Sequence, residues 1–447
     1  MKDNTIADVP TLCIANAIDT LRVIIGRAPT PADADAITRA NFPQQDQAIF
    51  WRPLDKLIIT EAPIAGFEWL TGLLGIKGAR NISPAETTGC LFTDVVKDTR
   101  LQQAISEWAG QDQKIRIIVH TTTPALWDMV LFLEAQLGLV VYLPESSRNQ
   151  ALRDYADTKS GFREIAASLG LSNGVVRIAA GASFPTVETA AGAIFDKNTH
   201  GEAAIAKPDK GEASVGLNIF HPGTNYCSLL RELHSNHYLS SDPIVVEEYV
   251  DGENISFPSV EFHVPEDGSP EHTFACSMMF SRQTELRGNF VYPNQSEEPW
   301  YSPLVGTGLL IASHLQKQGY IGFFDIDCVS RASGETIMLD LNPRRTGGTH
   351  IHEFASAFLG PSYQMTHCVG ALDYYAGHAI ALEALLDKIR PSIRSPTTSS
   401  SGILPIELTG LQFGRVSLLF WGNTAEEIAE LKNRVEADLA VLGFKIV

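Results

Sequence analysis

Three segments of this chain carry residues whose types and spacing could do chemistry. In Ile205-Ala-Lys-Pro-Asp-Lys-Gly-Glu-Ala-Ser-Val-Gly216 an apolar strand ends at Lys207 and opens into a loop with Gly211, Ser214 and Gly216. Glycines let backbone N–H groups approach phosphate oxygens, and a lysine at the strand end adds a point charge. Alone, the same residues also read as a surface hairpin with a solvated lysine. In Val245-Val-Glu-Glu-Tyr-Val-Asp-Gly252 an apolar strand delivers Glu247 and Glu248, then Tyr249 and Val250. Such a hinge can pair with adenine, Glu247 accepting from the exocyclic amine and the Val250 backbone meeting a ring nitrogen. Acidic residues at a strand end are equally often just solvated.

The third segment is the most informative. Gly322-Phe-Phe-Asp-Ile-Asp-Cys-Val329 reads as a strand, Ser333-Gly334 as a turn, and Ile337-Met-Leu-Asp-Leu-Asn-Pro-Arg-Arg-Thr-Gly-Gly348 as a returning strand and loop. The two strands would present Asp325 and Asp340. Asp340 and Asn342 are two residues apart and so share a face. Clustered hard oxygen ligands suit Mg²⁺, which takes its remaining ligands from water and phosphate. Burying Asp325 in an apolar strand is costly unless a cation compensates. The alternative is a salt-bridged core hairpin.

These segments need elements to position them. In residues 1–150, Leu21–Ile25, Leu57–Thr60, Ile115–Val119 and Leu139–Leu143 read as strands. Helices are expected over 64–74 and 124–137, the second with Pro124 in its first turn and Gly138 after its end. That alternation predicts an open α/β sheet. No GxGxxG or GxxxxGKS loop occurs in it. Over 151–390 the pattern predicts a helix 151–169 carrying Lys159, strands near 175–179, 203–207, 243–249, 257–264 and 272–279, a helix near 303–318, then the paired strands of the third segment. Residues 391–402, rich in Ser, Thr and Pro, read as a linker. Residues 403–447 read as a small strand–helix module. Its strand is Val416–Phe420, a capping box runs from Thr424 to Glu427, and Ile428, Leu431, Val435, Leu439 and Leu442 form one apolar face.

Composition fits this picture. The chain has 447 residues, 44% of them hydrophobic and 19% charged, as in a globular protein of several domains. A formal net charge of −18 repels phosphate backbones and anionic membranes, so neither nucleic acid nor membrane is an expected partner. No apolar run is long enough to span a bilayer. The start, MKDNTIADVPTLC, lacks the features of a signal peptide, so a cytoplasmic location is expected. The six cysteines, at 13, 90, 227, 276, 328 and 368, include no CxxC pair and read as reduced thiols in packing roles.

Taken together, the segments resemble the ATP-grasp superfamily over residues 151–390, in the family's own order. The whole chain is similar to the peptide-ligase group typified by the pheganomycin peptide ligase. That group has an α/β pre-ATP-grasp domain, an Asn-Pro-Arg-x-Thr-Gly-Gly signature and a small C-terminal module. The resemblance implies an α/β fold with a two-subdomain catalytic part, and it implies ATP and two Mg²⁺ ions as cofactors. It places Lys159 on the α-phosphate, Lys207 between the α- and β-phosphates, and the loop of Gly211, Ser214 and Gly216 over the β/γ end. Glu247, Glu248, Tyr249 and Val250 would hold adenine, with Ile205 and Leu339 against its faces. Asp325, Asp340 and Asn342 would hold the ions, and Arg344 would meet the transferring phosphoryl group or the carboxylate. Lys207, Asn342 and Arg344 are thus the expected catalytic set. Two positions depart from the family. Asp340 stands where Glu is usual, and Asn254, beside Glu253, stands where Glu usually binds ribose.

Arg282, Arg287, Arg345, Gly347 and Gly348 are candidates to face the substrate, although arginines there also serve structure. His350 and His352 are either helix-face histidines or handlers of the acceptor amine. The resemblance implies amide ligation: a carboxylate attacks the γ-phosphate, and an amine displaces phosphate from the acyl-phosphate. The substrates would be amino acids or short peptides in specialised biosynthesis. An ATP-grasp kinase and a non-catalytic nucleotide-binding regulator are the rival expectations. The sequence does not identify the substrates, and a homodimer is one option for the assembly.

Overall fold

The computed structural model describes residues 9–212, 214–239, 242–282 and 285–445, apart from the side chain of Arg282. Residues 1–8, on which part of the leader reading rests, lie outside that set.

The first unit is a five-stranded parallel sheet of β1 (Thr11–Ile14), β2 (Leu57–Ile59), β3 (Arg80–Ile82), β4 (Lys114–Val119) and β5 (Val140–Tyr142), in the order β3-β2-β1-β4-β5. Its first strand is not the expected 21–25. That run is a 3₁₀ turn, Ala17–Leu21, followed by a helix, Arg22–Gly26. Leu21 and Ile24 are buried three residues apart while Val23 is 41% exposed, a helical rather than an alternating pattern. The helix Pro124–Leu137 starts and stops as expected, with Gly138 at φ +68° taking the left-handed cap.

The expected helix 151–169 is two helices, Gln150–Ala156 and Lys159–Ser168. Thr158 breaks it: its hydroxyl accepts from the Gly161 N–H at 2.9 Å and caps the second helix. Gly161 is required there, because a Cβ would lie 2.0 Å from the Tyr155 carbonyl oxygen. The break makes Lys159 the first residue of a helix whose N-terminus faces the glycine loop, and its N–H donates to the Asp209 carbonyl at 3.1 Å.

After β6 (Val176–Ile178) comes a small antiparallel sheet of β7 (Gly181–Phe184), β8 (Ala204–Pro208), β9 (Asn218–Phe220) and β10 (Ile244–Glu248), in the order β7-β10-β8-β9. The helices Val187–Thr199 and Tyr226–Ser235 back it through Ile194, Leu229 and Leu233. The large sheet has eleven strands: β6, β11 (Ile255–Ser256), β12 (Pro258–Val264), β13 (Glu271–Arg282), β14 (Glu285–Val291), β15 (Gly322–Arg331), β16 (Thr336–Asn342), β17 (Cys368–Ala376), β18 (Gly402–Ile406), β19 (Arg415–Gly422) and β20 (Phe444–Lys445). Its main path runs β18-β19-β17-β14-β13-β12-β15-β16-β6. The strands of the C-terminal segment therefore continue this sheet instead of forming a layer of their own.

The helix Ala425–Val441 buries Ile428, Val435 and Leu439 against the sheet. Thr424 caps it, but Glu427 reaches the Asn423 N–H at 2.7 Å, one residue before the cap. Residues 391–402 are tied down: Ser395 donates to the Leu73 carbonyl at 3.0 Å and Ile393 bridges to Ile403. One core joins Phe50 and Trp51 of the first unit to Phe354, Leu419 and Trp421. Each such buried side chain contributes about 1.5–3 kcal/mol, so the first unit and the large sheet are held as one body. Among the described residues no helix is long and apolar enough to cross a membrane.

Candidate active site

The small sheet overhangs the large one, and the space between them is a cleft of 1190 Å³. Lys207, at the end of β8, is buried with its amine on this cleft. Its partner is Glu247 on β10. Residues 207 and 247 are diagonal neighbours on one face, since Val245 pairs with Lys207 and Glu247 with Ile205. The Lys207 amine meets the Glu247 carboxylate at 2.8 Å, and Arg163 takes the other oxygen at 2.7 Å. Burial alone would depress Lys207, but Asp340 and Glu247 more than offset it and hold the amine above its ordinary range.

The Glu247 carboxylate is thus paired with two cations and lies outside the cleft lining, where it holds Lys207 in place. The hinge offers other groups. Glu248 is held by Arg177 and by the Ala180 N–H, and Tyr249 donates its N–H to Ala203. Ile205, Val250 and Leu339 line the cleft as an apolar slot. Asn254, exposed at φ +59°, and Gly216, turned toward Tyr238, lie outside the lining. Gly211 and Ser214 are part of it.

Lys159 reaches the same space. Its amine donates to the Gly211 carbonyl at 3.0 Å and lies 3.4 Å from Asp340. Opposite, β15 and β16 pair Asp325 with Asn342 and Asp327 with Asp340. Asp327 is thus a member of the cluster that the sequence reading did not name. Its signal was the same two-residue spacing that joined Asp340 to Asn342. Asn342 donates its amide to Asp325 at 2.8 Å and to Asp327 at 3.1 Å, while its oxygen accepts from Arg344. Burial pushes Asp325 up to about 6, against the pull of Arg344. Burial and the neighbouring Asp325 and Asp340 push Asp327 well above the carboxylate range.

The cluster's fit to a hard divalent cation follows from its donors. They are all oxygens, Asp340 Oδ1 has no hydrogen bond among the described residues, and the acids repel one another. Those features fit Mg²⁺. Among the described residues no three Asp, Glu, His or Cys side chains form a ready cage. An open half-site is what Mg²⁺ uses, with one or two carboxylates and the rest from phosphate and water. Asn342 is the exception within the expected ligand set. As placed, it turns its amide N–H groups to the acids and would ligate only with the amide reversed.

The two signature arginines diverge. Arg344 lines the cleft and bonds Glu212 of the glycine loop at 3.1 Å, and its Nε is buried without a partner among the described residues. Burial works against its charge, yet Glu212 and neighbouring aspartates hold it firmly ionised. Arg345, 2% exposed, also lines the cleft, but its guanidinium is spent on buried acids. It pairs with Glu145 at 2.7 Å and Glu353 at 2.8 Å, between the rings of Trp51 and Phe323 at 5.0 and 4.7 Å. A guanidinium so fully partnered ties the first unit to the signature loop.

Arg287 is likewise engaged, with Glu285 and Ser281 at 3.0 Å and over the Tyr375 ring. The side chain of Arg282 lies outside the described residues. Gly347 and Gly348 line the cleft, and a Cβ on Gly348 would strike the Phe274 ring at 2.6 Å. His352 stacks on Phe274 and bonds Tyr363, a packing role. His350 lines the cleft.

No protein-family model matches this sequence, and no curated protein matches it. Solved structures do match its fold. A biotin carboxylase from Campylobacter jejuni, solved as a β,γ-ATP complex, superposes with a TM-score of 0.58 at 12% identity, over 98% of this chain and 92% of that one. An ADP complex of N5-carboxyaminoimidazole ribonucleotide synthetase gives 0.55 at 10% identity, over 96% of each chain. The biotin carboxylase domain of Hydrogenobacter thermophilus 2-oxoglutarate carboxylase, solved with MgADP, ADP and bicarbonate, gives 0.53 at 12% identity, over 98% of this chain and 91% of that one. Over nearly its whole length the chain has the mixed α/β fold of these proteins.

Proposed function

We propose that this protein is an ATP- and Mg²⁺-dependent ligase that joins a carboxylate to an amine through an acyl-phosphate, releasing ADP and phosphate. The observation that carries the reading is the meeting, in one cleft, of two buried lysines, an aspartate cluster and Arg344. Adenine would lie in the slot of Ile205, Val250 and Leu339. Lys159 and Lys207 would hold the phosphates. Asp327 and Asp340, with Asp325 behind them, would hold Mg²⁺, which when bound supplies the positive charge that neutralises the phosphate oxygens.

Arg344 has the key role. Its planar fork would hold the transferring phosphoryl group and could bond two oxygens at once. Glu212 takes one nitrogen of that fork and would give way to an anion. Such transfer needs positioning and electrostatics more than covalent help from the protein.

The finer reading is a peptide ligase of the pheganomycin type, cytoplasmic, acting on amino acids or short peptides in specialised metabolism. The signature from Asn342 to Gly348 supports it. So does a cleft larger than one nucleotide needs, since single-ligand pockets are about 300–1,000 Å³. A second reading has bicarbonate as the carboxylate, the anion with which the Hydrogenobacter thermophilus neighbour was solved. Screening amino-acid pairs for ATP-dependent phosphate release, with product masses, tests the first. Incorporation of labelled bicarbonate into an amine would favour the second.

A further inference from the structure

Beside the signature loop, where the first unit meets the large sheet, lies a second and smaller cavity of 20 Å³. Three parts of the chain build it. The loop after β4 supplies His120 and Thr121, the helix Gln150–Ala156 supplies Arg153, and the signature loop supplies Arg344 and Arg345. The loop after β4 is pinned. Asn16 accepts from the His120 N–H at 3.0 Å and donates to the Thr121 carbonyl at 3.0 Å, and the His120 carbonyl accepts from the Arg345 N–H at 3.1 Å. His120, Arg344 and Arg345 line the large cleft too, so the cavity adjoins it, whereas Thr121 and Arg153 line the cavity and not the cleft.

The lining favours an anion. Its charged side chains are three arginines and one acid, Glu145, which Arg345 holds at 2.7 Å. Arg153 and Arg344 have acid partners as well, but Asp154, Asp157 and Glu212 do not line the cavity. Four buried atoms of the lining have no partner among the described residues: Nε of Arg153, Nε of Arg344, Oγ1 of Thr121 and Nδ1 of His120. The two arginine N–H groups can only donate, and a hydroxyl and a neutral imidazole can donate too. Thr121, His120 and Arg153 are 3, 6 and 8% exposed, so water outside does not reach them freely. Burial and the charges of all three arginines hold His120 well below its ordinary range, which gathers the three around one neutral ring. Buried donors left unmet are costly, and one acceptor placed here would meet several of them.

We infer that this cavity is a subsite for a substrate carboxylate that the reaction leaves intact. One water needs about 10–15 Å³, so the space takes the end of a carboxylate and is too small for a phosphate. The activated carboxylate must sit at the γ-phosphate in the large cleft, so the group held here is a second one. It belongs either to an amine substrate that is an amino acid or to an acid substrate that is a diacid. The inference rests on the ligase reading, since it names the chemistry of that reaction's substrates.

The test titrates acetate, with acetamide as the uncharged control, into the full chain saturated with MgADP in chloride-free buffer, followed by NMR of the probe's methyl group. The wild type should bind acetate about tenfold more tightly than acetamide, as charge-assisted hydrogen bonds imply. Arg153→Gln should lose about tenfold in acetate affinity. Should that variant fail to fold, Thr121→Val, which keeps the side-chain shape, should lose about threefold. Neither residue lines the large cleft, so these losses report on the cavity and not on the phosphoryl site. Equal binding of acetate and acetamide by the wild type, or unchanged acetate binding in the variants, overturns the subsite and leaves the donors to ordered water. 4-Aminobutyrate and glutarate, run alongside, distinguish the carriers: the tighter binder, if Arg153→Gln removes its advantage, names the amine or the diacid. MgADP binding is measured first on the wild type. If MgADP binds and acetate does not, only the subsite falls; if MgADP does not bind, the ligase reading itself fails.

Discussion

The two sheets that face each other across the cleft are built on opposite charges. The small sheet and the helix beside it present Lys207, Lys159 and a glycine loop; the large sheet presents Asp325, Asp327 and Asp340. The small sheet stabilises its cation from behind, with Glu247 and Arg163 out of reach of a ligand. The large sheet leaves its acids facing one another, with Asn342, Ser259 and Lys159 among the groups between them. One wall is therefore complete without a ligand, and the other is complete only with a cation. Variants of the first should alter nucleotide affinity, and variants of the second should alter turnover.

The largest effect is expected at Arg344. Arg344→Lys keeps the charge but loses the fork, and removing one preorganised donor costs roughly 10²–10³ in rate. Turnover should fall by about that factor while ATP affinity barely changes. A kcat near wild type together with a lowered melting temperature would assign Arg344 to loop packing. Next is Asp327→Asn, read as turnover against Mg²⁺ concentration. Half-maximal Mg²⁺ should rise by about 10–100-fold, the range seen when support of a metal site is lost. An unchanged Mg²⁺ requirement would return β15 and β16 to a core hairpin.

Lys207→Ala should weaken ATP binding by roughly tenfold or more, as loss of a charge-assisted contact implies, with calorimetry as the measurement. Unaltered affinity would break the division between the walls. The smallest effect belongs to Glu212→Gln. Glu212 holds Arg344 at 3.1 Å in a largely buried contact, and glutamine keeps an acceptor there while removing the charge. ATP should bind slightly more tightly in this variant; weaker binding would mean that Glu212 helps to hold the nucleotide.

The sequence made the strands and their order legible because apolar runs bounded by glycine and turn residues are local signals. Leu57–Ile59, Lys114–Val119, Ile244–Glu248 and Thr336–Asn342 fall close to where the pattern places them. It misread 21–25, where a short apolar run fits either period. It missed the break at Thr158, which depends on one side-chain cap. The residue types of the site were readable, but their directions were not. Glu247 and Arg345 look like ligand-facing groups in one dimension, and only the packing of Arg163, Trp51 and Phe323 around them shows that their charges are already satisfied. His120, Arg153 and Arg344 could not be grouped from sequence, because the loop after β4, the helix Gln150–Ala156 and the signature loop come together only in the folded chain.

The central claim is acyl-phosphate chemistry in this cleft. It is tested most directly by chromatography of the spent nucleotide in a reaction with MgATP, a carboxylate and an amine. Acyl-phosphate ligation predicts ADP and phosphate in equal amounts, released with the coupled product and only when the amine is present. AMP with pyrophosphate, or a stable phosphorylated acid formed without any amine dependence, would contradict it.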